Sequence, residues 1–200
     1  MKVLIACEHS GTIRSAFRSF GHDAWSIDLK PDDFNSKYHI QDDIITSGVF
    51  TESWDLMIAH PPCTHLAVSG ARWFKDKVHE QKNAIEFARY LFNAPVSMIC
   101  LENPVSILST AIRKPDQIVH PWMFGDPFTK RTCLWLKNLP LLKPTNIVSK
   151  GEFVIHANGK RMPAWYNLGQ SKARSTIRSK TFEGMAQAMA LQWSMHVMSE

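Results

Sequence analysis

Short apolar runs alternate along this chain with amphipathic helical patterns, and this alternation narrows the fold more than any other feature. Residues 2–7 are apolar and rich in β-formers, and they lead into the turn sequence Glu8-His9-Ser10-Gly11. Ile13, Ala16, Phe17 and Phe20 then recur at the i, i+3, i+4, i+7 spacing of a helix, and Gly21 stands where a helix ends on a left-handed residue. A second strand is expected over 24–29, closing on Asp28, and a third over 54–59, where Pro61-Pro62 forbids continuation. Residues 76–92 read as a helix with Val78, Ile85, Ala88 and Leu91 on one face. Pro95 stops it, and 96–101 reads as an apolar strand running into Glu102-Asn103-Pro104, where Asn103-Pro104 also suits a turn. Later strands are expected at 132–136 and 153–156. A closing helix over 182–198 turns either Met185, Met189, Gln192 and His196 or Met185, Ala188, Leu191 and Met195 inward.

Such an order predicts an α/β fold, a mostly parallel central sheet with helices on both faces. Two hundred residues suit a single domain, 1–200. Ligands in sheets of this kind sit beyond the carboxyl ends of the strands. Gly11, Asp28, Cys63 and Glu102 all fall at or just after expected strand ends, so they should converge on one rim. Gly11 alone is a weak signal for nucleotide binding, because the fuller glycine fingerprint is absent. Asp28 stands where an acid would accept from ribose hydroxyls.

Composition sets the class. The chain is 44% hydrophobic and 20% charged, and no stretch approaches the roughly 20 uninterrupted apolar residues of a membrane helix. The first six residues are too brief for a signal peptide. Cysteines 7, 63, 100 and 133 include no CxxC pair and read as reduced thiols of a cytoplasmic protein. The net charge of +5 is unevenly spread. Residues 23–55 carry eight acids against Lys30 and Lys37. Residues 157–182 carry Lys160, Arg161, Lys172, Arg174, Arg178 and Lys180 with no acid, and also Trp165 and Tyr166. That mixture suits a surface that meets phosphates and stacks on bases, and equally a solvated connector.

Cys63 carries the chemistry. A thiol at a chain turn, near a helix N-terminus or a cation, becomes a thiolate nucleophile. Unpaired cysteines are also common core residues, but the rigid Pro61-Pro62 approach is costly to explain by packing. His60 and His65 flank the thiol, yet a tetrahedral metal site would have to borrow Cys7 and His9 from another loop, so no metal is expected. Glu102 at the mouth of an apolar strand would be costly to bury without a partner. Trp122, Trp135 and Trp193 suit core positions, and Trp73 and Trp165 suit contact with a base.

The stretch "PPCTHLAVSG" resembles the catalytic loop of the DNA (cytosine-5) methyltransferases, Pro-Pro-Cys-Gln-x-Phe-Ser-x-x-Gly. Pro61, Pro62, Cys63 and Gly70 match, Leu66 stands for the Phe, and Thr64 and Ala67 depart. "LENP" at 101–104 is similar to the family's Glu-Asn-Val, and "TKRTCLWL" at 129–136 resembles its arginine-bearing strand. Small phage-encoded proteins grouped with this family look similar over nearly the whole chain. The resemblance implies a Rossmann-like S-adenosylmethionine-dependent methyltransferase fold and transfer to cytosine C5. Cys63 would add to ring carbon 6, Glu102 would give a proton to ring N3 if protonated or sharing one, and Arg131 would hold the cytosine O2.

S-adenosylmethionine is the implied cofactor, held by Cys7, Glu8, His9, Ser10, Gly11, Asp28, Leu29, Asp43 and Pro61. The first loop departs from the family's Phe-x-Gly-x-Gly, with Glu8 available to bond the methionine amine. DNA is the implied partner, contacted by Arg72, Trp73, Lys130, Trp165, Lys172, Arg174 and Arg178, and the target base must be flipped out or already unpaired. The family's large target-recognition region is missing, which points to short or single-stranded DNA. The same features also fit a non-catalytic nucleic-acid-binding protein on this scaffold, or a methyltransferase acting on RNA or a free nucleotide.

Overall fold

The computed structural model describes residues 1–167 and 181–198, with the backbone alone for Arg72, Trp73 and Met198. Lys172, Arg174 and Arg178 lie outside the described residues. Four parallel pairings build most of one sheet from β1 (Lys2–Ala6), β2 (Asp23–Asp28), β3 (His39–Gln41), β4 (Leu56–Ala59) and β5 (Met98–Pro104). Two further strands, β6 (Gln117–Val119) and β7 (Thr132–Lys137), complete it in the order β3-β2-β1-β4-β5-β7-β6. The first five positions follow a doubly wound sheet. β7 is antiparallel to both neighbours and slots between β5 and β6, so β6 runs in the same sense as β5.

Helices cover both faces. Alternate strand residues (Val3, Ile5, Leu56, Ile58, Cys100, Leu134) pack with Ile13 and Phe17 of α1 (Thr12–Ser19) and with Met185, Met189 and Trp193 of α4 (Glu183–Met198). Their neighbours Leu4, Ala6, Met57, Ala59, Ile99, Leu101 and Trp135 pack with Ala88 and Leu91 of α2 (Val78–Phe92) and Leu108 of the short α3 (Leu108–Ala111). Strands buried on both faces must be apolar throughout, which is why 3–6 and 56–59 read as unbroken hydrophobic runs. The mostly parallel sheet with helices on both faces expected from the alternation is therefore present, in the Rossmann-like form that the resemblance implies.

Several local expectations change. Asn103 and Pro104 do not form a turn; β5 carries them to pair with Cys133 and Thr132. Val78, at the first position of α2 after a 3-10 segment (Val68–Asp76), is exposed, and the helix buries Ala88 and Leu91 instead. In α4, Leu191 and Met195 are exposed while Met185, Ala188, Met189 and Trp193 are buried, so the face through Met185 and Met189 is the inward one. Residues 153–155 stay out of the main sheet: β8 (Phe153–Ile155) forms a separate hairpin with β9 (Arg161–Pro163). Trp122 is only half-buried, stacked on His120 with the Lys150 ammonium over its ring, whereas Trp135 and Trp193 are core residues as expected. Gly184 is required by close approach, since a Cβ there would lie 1.9 Å from the Phe124 carbonyl oxygen.

Candidate active site

The parallel strands deliver their next residues to one rim. Ala6 pairs with Ile27 and Ala59, and Ala59 pairs with Leu101, so Cys7, Asp28, His60 and Glu102 leave the sheet side by side. β7 runs the other way and brings Lys130 and Arg131 to the same rim at its start. Asp28 and Glu102 thus leave the sheet at one edge, the loop bearing Gly11 follows β1 there and the loop bearing Cys63 follows β4.

The loop bearing Cys63 is stitched to the exit of β5. His60 Nδ1 lies 2.8 Å from Glu102 Oε2, and Asn103 Nδ2 donates to the Pro61 carbonyl at 2.9 Å. Further on, the Val68 N–H donates to Val105 O at 3.1 Å, and the Ile107 N–H donates to Leu66 O at 3.0 Å. Between these fastenings Cys63 opens a turn, its carbonyl accepting from the Leu66 and Ala67 N–H groups. Pro62, Cys63 and Thr64 are exposed while Pro61 and Leu66 are buried. The thiol of Cys63 is thus exposed on a tethered turn that follows a strand end. Cys63 stands three residues from His60, so its Cα lies within about 11 Å of the His60–Glu102 pair by chain length alone.

His60 is the site residue that sequence reasoning did not assign. A carboxylate oxygen only accepts, so Nδ1 carries the hydrogen. Each side chain is only 13% exposed, and the imidazole Nε2 is buried with no hydrogen-bond partner among the described residues. Burial pushes the Glu102 carboxyl up. The hydrogen bond from His60, with the positive charge of His60 and Lys130, outweighs burial and holds it below the usual carboxylate range. Glu102 is therefore favoured as a carboxylate that accepts from the imidazole, rather than as a simple protonated acid. Strand-end position pointed to Glu102, but the pairing with residue 60 follows only from the β4–β5 register.

The expected cofactor loop has a specific structure. Cys7 leaves β1 with φ 61°, its N–H donating to Ile27 O at 2.8 Å. Burial first, then the charges of Asp28 and Asp43, push its thiol up to about 12, which places those two carboxylates beside it. Glu8 is buried beneath α1, Oε1 accepting from the Ile13 N–H at 2.7 Å and Oε2 from the Arg14 N–H at 3.2 Å. Both oxygens thus cap a helix, so bonding the methionine amine is not needed to explain this residue. Gly11 has φ 66°, and a Cβ there would approach Arg14 Nη2 to 2.4 Å. Arg14 is itself buried, donating to Ser26 Oγ at 2.7 Å and paired with Asp32 at 2.8 Å.

Around this loop, His9 Nδ1 lies 3.3 Å from Asp33 Oδ1, and Ser10 Oγ lies 3.2 Å from Thr12 Oγ1. Asp28 accepts from the Lys30 N–H at 2.9 Å, Asp43 from the Ile45 N–H at 2.9 Å, and Leu29 is 70% exposed.

This loop distinguishes between cofactor chemistries. A phosphate-bearing nucleotide would place anionic oxygens at the N-terminus of α1. Here those amides already hold the Glu8 carboxylate, and Asp28, Asp42 and Asp43 add negative charge nearby. The donor set fits a phosphate-free cofactor that carries positive charge and ribose hydroxyls, a description S-adenosylmethionine meets.

The basic, aromatic side is partly corrected. Trp165 is buried, in ring contact with Phe128 and Phe182, so its faces serve packing rather than a base. Lys130 Nζ sits over Trp165 and Phe182 at 5.9 and 5.8 Å, and its charge also reaches Glu102. Arg131 is exposed, and its backbone N–H donates to the Tyr166 hydroxyl at 2.9 Å. Among the described residues no three His, Cys, Asp or Glu side chains converge as a metal site, and no helix is long and apolar enough to cross a membrane.

No family model matches the chain, and no curated protein matches it. Solved structures similar to it include a candidate DNA modification methyltransferase encoded within an E. coli prophage, at 15% identity and TM-score 0.49. That match covers 74% of this chain and 52% of the other. A variant of Spodoptera frugiperda DNMT2 matches at 14% identity and TM-score 0.47, over 74% of this chain and 54% of that one. The chain spans about half the length of each.

Proposed function

We propose that this protein is an S-adenosylmethionine-dependent methyltransferase that modifies cytosine at C5 in DNA, through a covalent adduct of Cys63. The observation that carries the reading is the stitching of the Cys63 turn to the β5 exit. One exposed thiol near a carboxyl that is hydrogen-bonded to an imidazole, both following strand ends, supports the reading. Cytosine C5 is a poor nucleophile until C6 is attacked, and this rim holds the two groups that task requires. Cys63 adds as a thiolate to C6, and the His60–Glu102 pair supplies a proton to N3 as negative charge develops there. Arg131 and Lys130 border the rim at the start of β7, where Arg131 would hold the cytosine O2 and the Lys130 charge favours the Glu102 carboxylate.

The acidic loop at the ends of β1 and β2 would hold the cofactor through Asp28 and Asp43, with Cys7, His9, Ser10, Gly11, Leu29 and Pro61 lining it and Glu8 fixing the loop beneath α1. When bound, the cofactor supplies an electrophilic methyl group. One methyltransferase unit of this kind, acting in the cytoplasm, would leave residues 157–181 to meet phosphates and residues 72–73 to flank the target. The small size of that contact region favours unpaired or short substrates, because a base inside a duplex must first be extruded.

The test is methyl transfer. Labelled cofactor is incubated with single-stranded and duplex DNA containing cytosine, and the digested nucleosides are identified by mass spectrometry. The proposal requires 5-methylcytosine from the wild type and none from Cys63→Ala, with both proteins folded. Undiminished product from Cys63→Ala removes the nucleophile assignment. Product absent from the wild type, with DNA still bound, replaces the enzyme by a nucleic-acid-binding protein.

A further inference from the structure

We propose that His60 is a positioning residue for Glu102, fixing which carboxyl oxygen meets the target base and keeping on the pair the proton that the base takes up. This inference rests on the methyl-transfer reading above.

The geometry starts from the backbone. His60 is the first residue beyond β4, its N–H donates to Ala6 O at 2.9 Å, and the following Pro61 confines it to extended conformations. The imidazole is thus delivered beside the exit of β5, with Nδ1 2.8 Å from Glu102 Oε2. Because Oε2 is occupied by the Nδ1–H, Oε1 is the oxygen left for a substrate. Neighbouring charges come from three sides: Glu8 from the loop after β1, Glu102 on β5 and Lys130 ahead of β7. Arg14 of α1 also bears on Glu8 while pairing with Asp32. Acid, imidazole, acid and ammonium therefore follow one another along the rim.

The step balances without an outside acid. The Cys63 sulfur forms a bond to C6, the C5=C6 π pair moves through C4 towards N3, and N3 takes the proton from Glu102. That is the one proton the pair shares, present on Glu102 in its imidazole–carboxylic acid form, so its transfer leaves a neutral imidazole hydrogen-bonded to a carboxylate. After methyl transfer the C5 proton leaves to solvent water, the S–C6 bond breaks with its electrons returning to sulfur, and the N3 proton returns to the pair.

Two sites sharing one proton hold it to a higher pH than one of them alone. The single-proton population includes both imidazolium–carboxylate and imidazole–carboxylic acid. Its upper apparent pKa therefore lies at or above that of Glu102 beside a neutral hydrogen-bond donor. Replacing the imidazole by a group that donates but does not titrate must lower the pH at which the proton is lost. Asn places an N–H at the position of Nδ1 and is such a group.

The experiment measures kcat and KM for cytosine-containing DNA across pH in the wild type, His60→Asn and His60→Leu, with circular dichroism melts to show that each is folded. In His60→Asn the alkaline break is expected to move down by about one pH unit or more, with KM changed by no more than a few fold. In His60→Leu kcat is expected to fall about 100-fold. An unmoved break in His60→Asn, or equal loss at every pH, overturns the proposal, because a merely structural histidine would behave that way. A second arm needs no turnover: NMR of the His60 Nδ1–H proton in wild type and Glu102→Gln. Its resonance is expected downfield in the wild type and to move upfield in Glu102→Gln, where a neutral amide faces it, and an unchanged resonance overturns the pairing. If wild type makes no 5-methylcytosine, the methyl-transfer reading fails, and that resonance still decides whether the pair couples.

Discussion

Asn103→Ala tests the fastening of the Cys63 loop. Asn103 is 1% exposed, and its Nδ2 donates to the Pro61 carbonyl at 2.9 Å. Removing the carboxamide deletes a bond of about 1 kcal/mol net and leaves the carbonyl of a buried residue without its donor, a penalty of about 1–3 kcal/mol. Part is offset, because Asn103 Oδ1 has no partner among the described residues, so its desolvation cost disappears with it. The balance is a loss of about 2–3 kcal/mol, or roughly 4–12 °C in Tm for a chain of this size. Turnover should fall at least about tenfold beyond any loss of folded protein, since small displacements of a reacting group carry large penalties. Denaturant titration and thermal melting read the first quantity, and kcat at a temperature where the variant is folded reads the second. A stability change below about 0.5 kcal/mol would refute the claim that Asn103 fastens Pro61. A large stability loss with unchanged kcat would refute the link from fastening to catalysis.

Three further perturbations have defined outcomes. Of the four cysteines only Cys63 is exposed. Burial raises the Cys7 thiol to about 12 and that of Cys133 to about 11, and holds Cys100 well above its ordinary value. A disulfide reagent at pH 8 should therefore label one thiol rapidly in native protein and none in Cys63→Ser; two fast thiols would contradict the burial of the others. Gly184→Ala should destabilise by about 1–3 kcal/mol in denaturant titration despite the better helix propensity of alanine, because the Cβ meets the Phe124 backbone. A neutral or stabilising result would show that this approach is not close.

Glu8 is held above its ordinary 4.5 by burial, against hydrogen bonds from Ile13 and Arg14 and the charges of His60 and Arg14. The folded state then binds that proton more tightly than the unfolded chain, so Glu8 lowers stability as pH rises from about 4.5 through its raised value. Glu8→Gln keeps an acceptor for the Ile13 N–H and should flatten that part of the stability profile. An identical slope would refute the assignment.

The sheet was legible wherever both faces are buried, because Val3–Ala6 of β1, Leu56–Ala59 of β4 and Met98–Leu101 of β5 are unbroken apolar runs, and α1 showed its period through Ile13, Ala16, Phe17 and Phe20. The three-residue strands β3 and β6 were not, since neither alternation nor length marks so short a segment. Asn103-Pro104 looked like a turn because proline is poor inside a sheet. It is tolerated here at the last residue of β5. In the site, Cys63 and Glu102 followed from strand ends, a local signal. The His60–Glu102 pair and the Asn103–Pro61 bond each join residues 42 apart in the chain, and only the parallel register of β4 and β5 brings them together. Trp165 misled because a basic neighbourhood says nothing about which face of an aromatic ring is already covered by Phe128 and Phe182.

The most direct test of the central claim traps the adduct. DNA carrying 5-fluorocytosine is incubated with the protein and S-adenosylmethionine, and the product is digested and read by mass spectrometry. Fluorine at C5 cannot leave as a proton does, so a base attacked at C6 and methylated at C5 stays bonded to the attacking residue. The account predicts a methylated 5-fluorocytosine attached to the peptide containing Cys63, absent in Cys63→Ala. DNA methylated with no adduct, or an adduct on another residue, would contradict it.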